Sequence, residues 1–255
     1  AVVVDDIVTG SSDLQVVDTV LNTTAARIPG GVRPSWSPDG AKLAFVAGSE
    51  VEVLDVASGT LTVVDPGIGL RAPPLWSGPS TLVLSTGATA SRPGGVELVN
   101  LPVGARYSLP GVPAGSVAAA VSAAGTRLAI AGPTGTLLVA PAAGASGTAQ
   151  SVGGRLNAIG FAGEGTLVAI NPATNQLVRL SVGGGDTTAV TLSPGLVDLS
   201  TVGVAPDSRR LVYLAVDVSG KKQAFVANDD GSSALAITRF APDAGVEAQA
   251  VDFAY

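Results

Sequence analysis

The sequence predicts an all-β protein, and three observations lead to this fold class. Short apolar segments rich in valine, leucine and isoleucine recur between turns of glycine, proline, aspartate and serine. No stretch keeps the apolar period of a capped amphipathic helix. The apolar segments also come in groups of four that repeat about every 40–45 residues. These features together predict strands joined by tight turns, with almost no helix.

Five copies of the repeat are visible, and the clearest is PSWSPDGAKLAFVAGSEVEVLDVASGTLTVV at Pro34–Val64. Equivalent positions along the chain are 40, 45, 40, 43 and 49 residues apart, and they hold Trp36, Trp76, Val121, Phe161, Val204 and Phe253. We expect the aromatic residues among them to pack between neighbouring repeats. The expected boundaries of the full repeats are about 34–64, 74–109, 117–150, 157–192 and 200–238.

Four strands in a repeat of this length are typical of a β-propeller blade. The N-terminal residues 1–28 contain three further strand-like segments, and 248–255 (AQAVDFAY) contains one. We expect these pieces to form a closing blade, because pairing of the two chain ends removes exposed sheet edges. The sequence therefore predicts a single domain over 1–255, a six-bladed β-propeller with four-stranded antiparallel blades.

Composition excludes several classes of function. The chain has 255 residues, a net charge of −6 and only 13% charged residues, so it is neither disordered nor a nucleic-acid binder. Cysteine, histidine and methionine are absent, which removes the usual ligands of zinc, haem and iron–sulfur centres. A Ser-His-Asp or Cys-His nucleophile is excluded for the same reason. We expect no cofactor and no catalytic residues.

The tract PSWSPDGAKLAFV at Pro34–Val46 resembles the WD-like propeller repeats of TolB-type proteins. Weaker copies of the pattern are APDSRRLVYL at Ala205–Leu214 and VSAAGTRLAIA at Val121–Ala131. The chain also looks like the propeller portion of actinobacterial lipoproteins of the LpqB type.

This resemblance implies a propeller outside the cytoplasmic membrane, either periplasmic, secreted or attached to the cell envelope. It also implies a platform for protein interactions. We predict a monomeric, non-catalytic scaffold or sensing module that binds a protein or peptide near the central channel. Contact with a membrane is expected only through a lipid anchor or a domain outside this chain.

The residues that precede the first strand of each blade are the main candidates for partner binding, because they share the face on which propellers usually bind ligands. Arg33, Arg71 and Arg155 hold such positions, and Asp198 and Glu247 hold the equivalent positions in later blades. Arginine presents a fixed fork of donors that suits a carboxylate or an acidic tail. The alternative interpretation is a solvated rim of mixed charge.

Two longer loops between the second and third strands are secondary candidates, because loops on a rigid scaffold often carry function. The loop STGATASRPGG at Ser85–Gly95 contains Arg92, and the loop DVSGKK at Asp217–Lys222 contains Lys221 and Lys222.

Two further functions stay open. Lactonase-type enzymes of six blades hold a central metal with glutamate, asparagine and aspartate, which Glu50, Asn157, Asn171 and Asp217 could supply, although we expect no metal site. TolB-like repeats also occur in propellers attached to peptidases, so the chain could be one domain of a larger peptidase.

Overall fold

The computed structural model describes residues 2–6, 11–18, 23–65, 69–89, 93–142, 148–184, 187–192, 196–205 and 209–238. These residues form 23 strands and no helix, as the lack of a helical period predicts. A helix with the length and apolarity to cross a membrane is accordingly not found in these ranges.

The strands form meanders in which each strand pairs antiparallel with the next along the chain. The first sheet contains β1 (Val2–Asp6), β2 (Ser11–Asp18) and β3 (Thr23–Pro29). Blade 1 contains β4 (Gly31–Trp36), β5 (Lys42–Ala47), β6 (Glu50–Asp55) and β7 (Leu61–Asp65). Blade 2 contains β8 (Leu75–Gly78), β9 (Thr81–Thr86), β10 (Gly95–Asn100) and β11 (Ala105–Ser108).

The later blades repeat this order. Blade 3 contains β12 (Val117–Val121), β13 (Arg127–Ala131), β14 (Thr136–Pro141) and β15 (Gln150–Arg155). Blade 4 contains β16 (Asn157–Phe161), β17 (Thr166–Asn171), β18 (Gln176–Ser181) and β19 (Thr188–Val190). Blade 5 contains β20 (Leu196–Val204), β21 (Arg210–Val216), β22 (Lys222–Asn228) and β23 (Leu235–Ala236).

The number of four-stranded blades differs from the expected six. The described residues form five such blades, and the first sheet has only three strands, because β1, β2 and β3 pair with one another alone. The expectation of six four-stranded blades is therefore wrong for the described chain. The fourth strand expected for the first sheet, at 248–255, lies outside the described residues, so closure by the two chain ends stays a prediction.

The chain divides into two compact units. Of the described residues, the first unit contains those up to 118 together with 142, and holds the three-stranded sheet with blades 1 and 2. The second contains the described residues of 119–141 and 148–238, and holds most of blade 3 with blades 4 and 5. The expected single domain remains a prediction, and each unit is described by itself below.

In the first unit, neighbouring sheets pack through apolar side chains that alternate along the strands. The cluster between the three-stranded sheet and blade 1 is formed by Leu14, Val16, Ile28, Leu43, Phe45 and Leu54, with Trp36 partly buried against it. The cluster between blades 1 and 2 is formed by Ala44, Val51, Val53, Trp76, Leu82, Leu84 and Val99. Both tryptophans therefore pack between sheets, as their position in the repeat predicts.

The second unit uses the same arrangement. Blades 3 and 4 share a cluster that includes Ala129, Leu137, Val139, Phe161, Leu167 and Val178. Blades 4 and 5 share a cluster that includes Val168, Leu177, Leu211, Tyr213 and Phe225, with the last two rings stacked at 5.6 Å. Because Leu167 and Val168 are adjacent in β17, their presence in different clusters follows from strand alternation.

Polar side chains also tie neighbouring blades together. The Trp76 indole N–H donates to the Ser35 carbonyl oxygen of blade 1 at 2.9 Å. Arg106 of blade 2 lies 2.6 Å from the buried Asp65 carboxylate and donates to the Val64 carbonyl oxygen of blade 1 at 3.1 Å. The positive charge of the guanidinium offsets part of the cost of burying the Asp65 carboxylate, although the facing oxygen, Oδ2, has no hydrogen-bond partner of good geometry among the described residues.

The turn between the first two strands of blade 1 depends on a buried serine. The Ser37 hydroxyl accepts the Lys42 backbone N–H at 2.9 Å and donates to the Asp39 carboxylate at 2.6 Å. Ser122 holds the matching turn of blade 3 in the same way, accepting the Arg127 backbone N–H at 3.1 Å. In blades 1 and 3, the serine hydroxyl thus accepts from a backbone N–H five residues along the chain.

Ser77 occupies the same place in blade 2, but its turn is shorter. Gly78 already pairs with Thr81 there, so no backbone N–H five residues along reaches the hydroxyl. The buried Ser77 oxygen accordingly has no hydrogen-bond partner among the described residues. Equivalent serines in two blades therefore have opposite energetic roles.

We expect Ser37→Ala to lower the free energy of unfolding by about 1 kcal/mol, because the partly buried Lys42 backbone N–H would lose its acceptor. Ser77→Ala should change it by less than about 0.5 kcal/mol or raise it, because the hydroxyl removed has no partner. Urea unfolding of the two variants beside the wild type measures the contrast. Equal losses in both variants would contradict the assignment.

Glu164, in the turn before β17 of blade 4, connects blades 3 and 4. Its carboxylate accepts the Ala124 backbone N–H at 3.0 Å and the Thr126 hydroxyl at 2.7 Å, both from the turn between β12 and β13. Partial burial alone would raise the pKa of Glu164, but the hydrogen bonds from Ala124, Thr126 and Ser122 outweigh it and lower the pKa. The ionised carboxylate is therefore the form that stabilises this contact.

Because the pKa of Glu164 is lower in the folded chain, its contribution to stability is present above its unfolded pKa. That contribution is lost as the pH falls through the folded pKa. Glu164→Gln should therefore destabilise the chain near neutral pH, with the difference shrinking in acid. Urea unfolding across this pH range measures the difference, and Thr126→Ala should give a smaller loss. A difference that is constant down to strongly acidic pH would refute this account.

Candidate functional site

One end of each blade collects three kinds of connection. In an antiparallel meander, the segment entering the first strand, the loop between the second and third strands, and the end of the fourth strand share one end. We call this the entry end of a blade. The arginines singled out in the sequence lie at the entry ends of their own blades, whereas the Ser37 and Ser77 turns lie at the opposite ends.

Arg33 lies in β4 and has an unusual backbone conformation. The pairing of β4 with β5 is irregular between Val32 and Ser35, and Arg33 has a φ of +54°. A residue other than glycine seldom adopts this left-handed conformation, and a bulge of this kind redirects a side chain. The exposed Arg33 side chain accordingly reaches the next blade, where its Nη1 donates to the Leu70 carbonyl oxygen at 3.4 Å.

Arg71 lies in the segment that enters blade 2, next to Leu70. Its backbone N–H donates to the Ser85 carbonyl oxygen at 2.9 Å, which fixes the segment against the end of β9. Its exposed side chain extends forward along the chain, and Nη1 donates to the Gly115 carbonyl oxygen at 3.0 Å. Arg33 and Arg71 therefore repeat one contact, in which an arginine at one entry end binds a carbonyl oxygen in the next entering segment.

The acceptor of the Arg71 contact is itself held in place. Gly115 has a φ of +78°, and its backbone N–H donates to the Gly94 carbonyl oxygen at 2.8 Å. The buried Ser116 hydroxyl donates to the Pro113 carbonyl oxygen at 2.7 Å. A fixed carbonyl oxygen limits the orientations that the Arg71 guanidinium can adopt.

Neither of these two guanidinium groups has an acidic partner among the described residues. The ion pairs there join Arg106 with Asp65 and Glu97, and Arg179 with Asp229. A guanidinium has five N–H donors, and the contacts with Leu70 and Gly115 use one Nη1 each. Arg33 and Arg71 thus present positive charge and open donors at adjacent entry ends of an acidic chain.

Arg155 lies at the last position of β15, at the entry end of blade 3, where it pairs with Thr136. Its aliphatic part covers Gly135, since a Cβ atom added there would lie 3.2 Å from Arg155 Cγ. The side chain is exposed, and its guanidinium makes no hydrogen bond or ion pair within the described ranges. Arg155 belongs to the second unit and is considered there alone.

The remaining candidates divide into those inside and those outside the described residues. Asp198 lies in β20 opposite Leu214, near the entry end of blade 5. Glu247 and Arg92 lie outside the described residues. Lys221 and Lys222 follow the turn between β21 and β22, also at the entry end of blade 5.

Asp217 fixes that turn of blade 5. Its Oδ1 accepts the backbone N–H groups of Ser219 and Lys221 at 2.8 and 3.2 Å, and Oδ2 accepts from the Gln223 amide at 3.1 Å. The hydrogen bond from the Ser219 hydroxyl, with these others, lowers the pKa of Asp217 despite some desolvation. Lys221 and Lys222 therefore lie on an ordered turn.

Two of the four residues considered as ligands of a central metal already accept hydrogen bonds from nearby backbone N–H groups. The Asp217 carboxylate holds its own turn, and Asn171 Oδ1 accepts the Ala173 backbone N–H at 3.0 Å. Across the described part of the chain, histidine, cysteine, aspartate and glutamate side chains form no group of three that could hold a metal ion.

Comparison with known proteins identifies the architecture. No family model and no curated protein matches the sequence. Among solved structures, the β-propeller domain of the trilobed protease from Pyrococcus furiosus matches with a TM-score of 0.65 and 12% identity, over 93% of this chain and 78% of that one. The chain has a β-propeller fold.

Two further solved structures are similar to the chain. TolB from Acinetobacter baumannii matches with a TM-score of 0.61 and 16% identity, over 90% of this chain. Acylaminoacyl peptidase from Pyrococcus horikoshii matches with a TM-score of 0.65 and 11% identity, over 93% of this chain. The propeller spans 60% of that TolB and 43% of that peptidase.

Several features of the site could not be found in the sequence. Composition and spacing indicate Arg33 and Arg71, but no pattern identifies the Leu70 and Gly115 carbonyl oxygens as their acceptors. The left-handed conformation of Arg33 could also not be predicted from the sequence, since the position holds neither glycine nor asparagine, the residues that usually adopt it. A bulge defined by the pairing of two strands has no local sequence signal.

Arg33→Gly tests whether this conformation is maintained at the expense of stability. We expect the free energy of unfolding to stay level or rise by up to about 1 kcal/mol, because glycine adopts positive φ without strain. Arg33→Val should lower it by about 1–2 kcal/mol, because a β-branched residue fits the left-handed region poorly. Urea unfolding measures both variants, and a large loss in Arg33→Gly would show that the side chain itself stabilises the fold.

Proposed function

We propose that the propeller is a non-catalytic binding module that holds a partner protein or peptide at its entry ends. The observation that carries this proposal is the pair of exposed arginines in neighbouring blades, Arg33 and Arg71, each anchored by one carbonyl oxygen. Neither has a carboxylate partner among the described residues. In a chain of net charge −6, exposed guanidinium groups without carboxylate partners favour binding of an acidic partner at this place on the surface.

The chemistry of the site favours a partner with an acidic segment. A guanidinium binds a carboxylate through two parallel N–H donors, and the existing carbonyl contact leaves such an edge open. Because one N–H of each arginine is already held, fewer side-chain conformations are lost when the partner binds. The two arginines together therefore suit a peptide with carboxylates on nearby residues, or one that ends in a free carboxylate.

We further propose that the module acts outside the cytoplasmic membrane, in the cell envelope, as a monomer. The resemblance of Pro34–Val46 to TolB-type repeats supports this location, as does the structural similarity to TolB. A nucleic-acid partner is not proposed, because the chain has a negative net charge.

A second candidate is a propeller domain of a larger peptidase. Two of the structural matches are the β-propeller domain of a protease from Pyrococcus furiosus and an acylaminoacyl peptidase from Pyrococcus horikoshii. A catalytic domain encoded in the same gene would support this candidate, and reading the full gene tests it directly.

The binding proposal is tested with a fluorescently labelled eight-residue peptide of alternating aspartate and serine. We expect the double variant Arg33→Ala/Arg71→Ala to weaken binding at least about tenfold, with each single variant in between. The double variant with lysine should recover only part of the affinity, because lysine lacks the fork of donors. Fluorescence anisotropy at low and physiological salt measures the affinities, which should fall as salt rises.

Arg209→Ala is the matched control, since Arg209 is an exposed arginine at the opposite end of blade 5. It should bind the peptide like the wild type. Equal affinity in the wild type and the double alanine variant, or an equal loss in the control, would refute the proposed site.

A further inference from the structure

The outermost strand of blade 1, β7, has an apolar and uncharged exposed edge. Its sequence is Leu-Thr-Val-Val before Asp65, and the side chains of Leu61 and Val63 are each 51% exposed. Residues at alternate positions of a strand lie on the same face, so these two form one apolar strip. Strips of this kind on an outer strand invite pairing with another chain.

The other described outer strands carry features that discourage such pairing. Charge is present on β11 at Arg106, and β15 has two register irregularities and two successive glycines. The outer strands of blades 4 and 5 have only three and two residues. Irregular pairing in β7 is confined to its end beyond Val63, so Leu61–Val63 stay in regular register. Blade 1 thus lacks the edge protection seen in the other described four-stranded blades.

The main chain of β7 is available at the same residues. The Asp55 backbone N–H donates to the Thr60 carbonyl oxygen at 2.9 Å, which sets the alternation of hydrogen bonds between β6 and β7. Thr62 therefore bonds toward β6, while the N–H and C=O groups of Leu61 and Val63 point away from the sheet. An added strand could use both the main chain and the side chains of these two residues.

Charge near the strip determines what kind of strand fits it. In β6, Glu52 lies opposite Val63 of β7, so the two side chains are on the same face of the sheet. Glu50, two residues earlier in β6, is on that face as well. Neither carboxylate forms an ion pair or hydrogen bond in the described ranges. A second copy of this acidic chain would bring the same carboxylates against them, whereas lysine or arginine would complement them.

We propose that the β7 edge is a docking site for an extended segment of another protein, which adds a strand to blade 1. The segment carries two apolar residues at alternate positions, which cover Leu61 and Val63, and a basic residue at the next position of the same face, toward Glu52 and Glu50. This surface is distinct from the entry-end arginines and prefers a partner segment of opposite charge.

The test uses the full chain and a blocked eight-residue peptide, Thr-Val-Thr-Val-Thr-Lys-Thr-Lys, which places its valines and lysines on one face of the strand. We expect saturating peptide to slow amide hydrogen exchange of Leu61 and Val63 at least about tenfold, as measured by NMR, because the added strand accepts these N–H groups. The same peptide with glutamate in place of lysine should give no protection. Methylation of alternate peptide nitrogens should also abolish protection, which identifies strand addition.

Val63→Lys should abolish the protection, and Tyr107→Lys is its matched control, because Tyr107 is also 51% exposed and lies on the outer strand β11. Leu61→Lys serves as a second variant if Val63→Lys alters the urea unfolding curve. The proposal is overturned if the peptide still slows exchange in both lysine variants. It is also overturned if the glutamate peptide slows exchange as much as the lysine peptide does. Protection without peptide that grows with protein concentration also overturns it, since the occupant would be a second copy.

Discussion

A sheet with two apolar faces is stable only if both faces are covered, and this constraint organises the whole chain. Phe45 and Ala44 are adjacent in β5 and fully buried, yet they belong to clusters on opposite faces of blade 1. The second strand of each blade is consequently apolar at successive positions. Few positions in the blades are left for charged residues, which form only 13% of the chain.

Polar contacts between blades occur where this lateral packing ends. The Arg106 and Asp65 pair joins two outer strands, and Glu164 joins the turns of two blades. Side-chain packing has fewer neighbours in these places, so a directional contact adds orientation that apolar burial does not supply. The arginines at the entry ends of blades 1 and 2 follow the same rule, with backbone carbonyl oxygens in place of carboxylates.

The repeat and the strand order could be predicted from the sequence because both depend on local patterns. Trp36 and Trp76 mark equivalent strands, and the meander then places Arg33 and Arg71 at one end of their blades. The three strands of the first sheet follow from the same local patterns, whereas their pairing with a fourth segment depends on which segments meet and cannot be deduced from local sequence. The apolar edge of β7 was missed for a related reason. Leu61 and Val63 look like core residues until the sheet order shows that β7 is outermost.

The unpartnered hydroxyl of Ser77 shows how the length of a turn decides the role of one side chain. The Ser37 oxygen accepts a backbone N–H of its turn, whereas the Ser77 oxygen is buried without a partner because the turn of blade 2 closes one residue earlier. Lengthening the turn of blade 2 by one residue would therefore give an idle buried oxygen the donor that its counterpart in blade 1 already has.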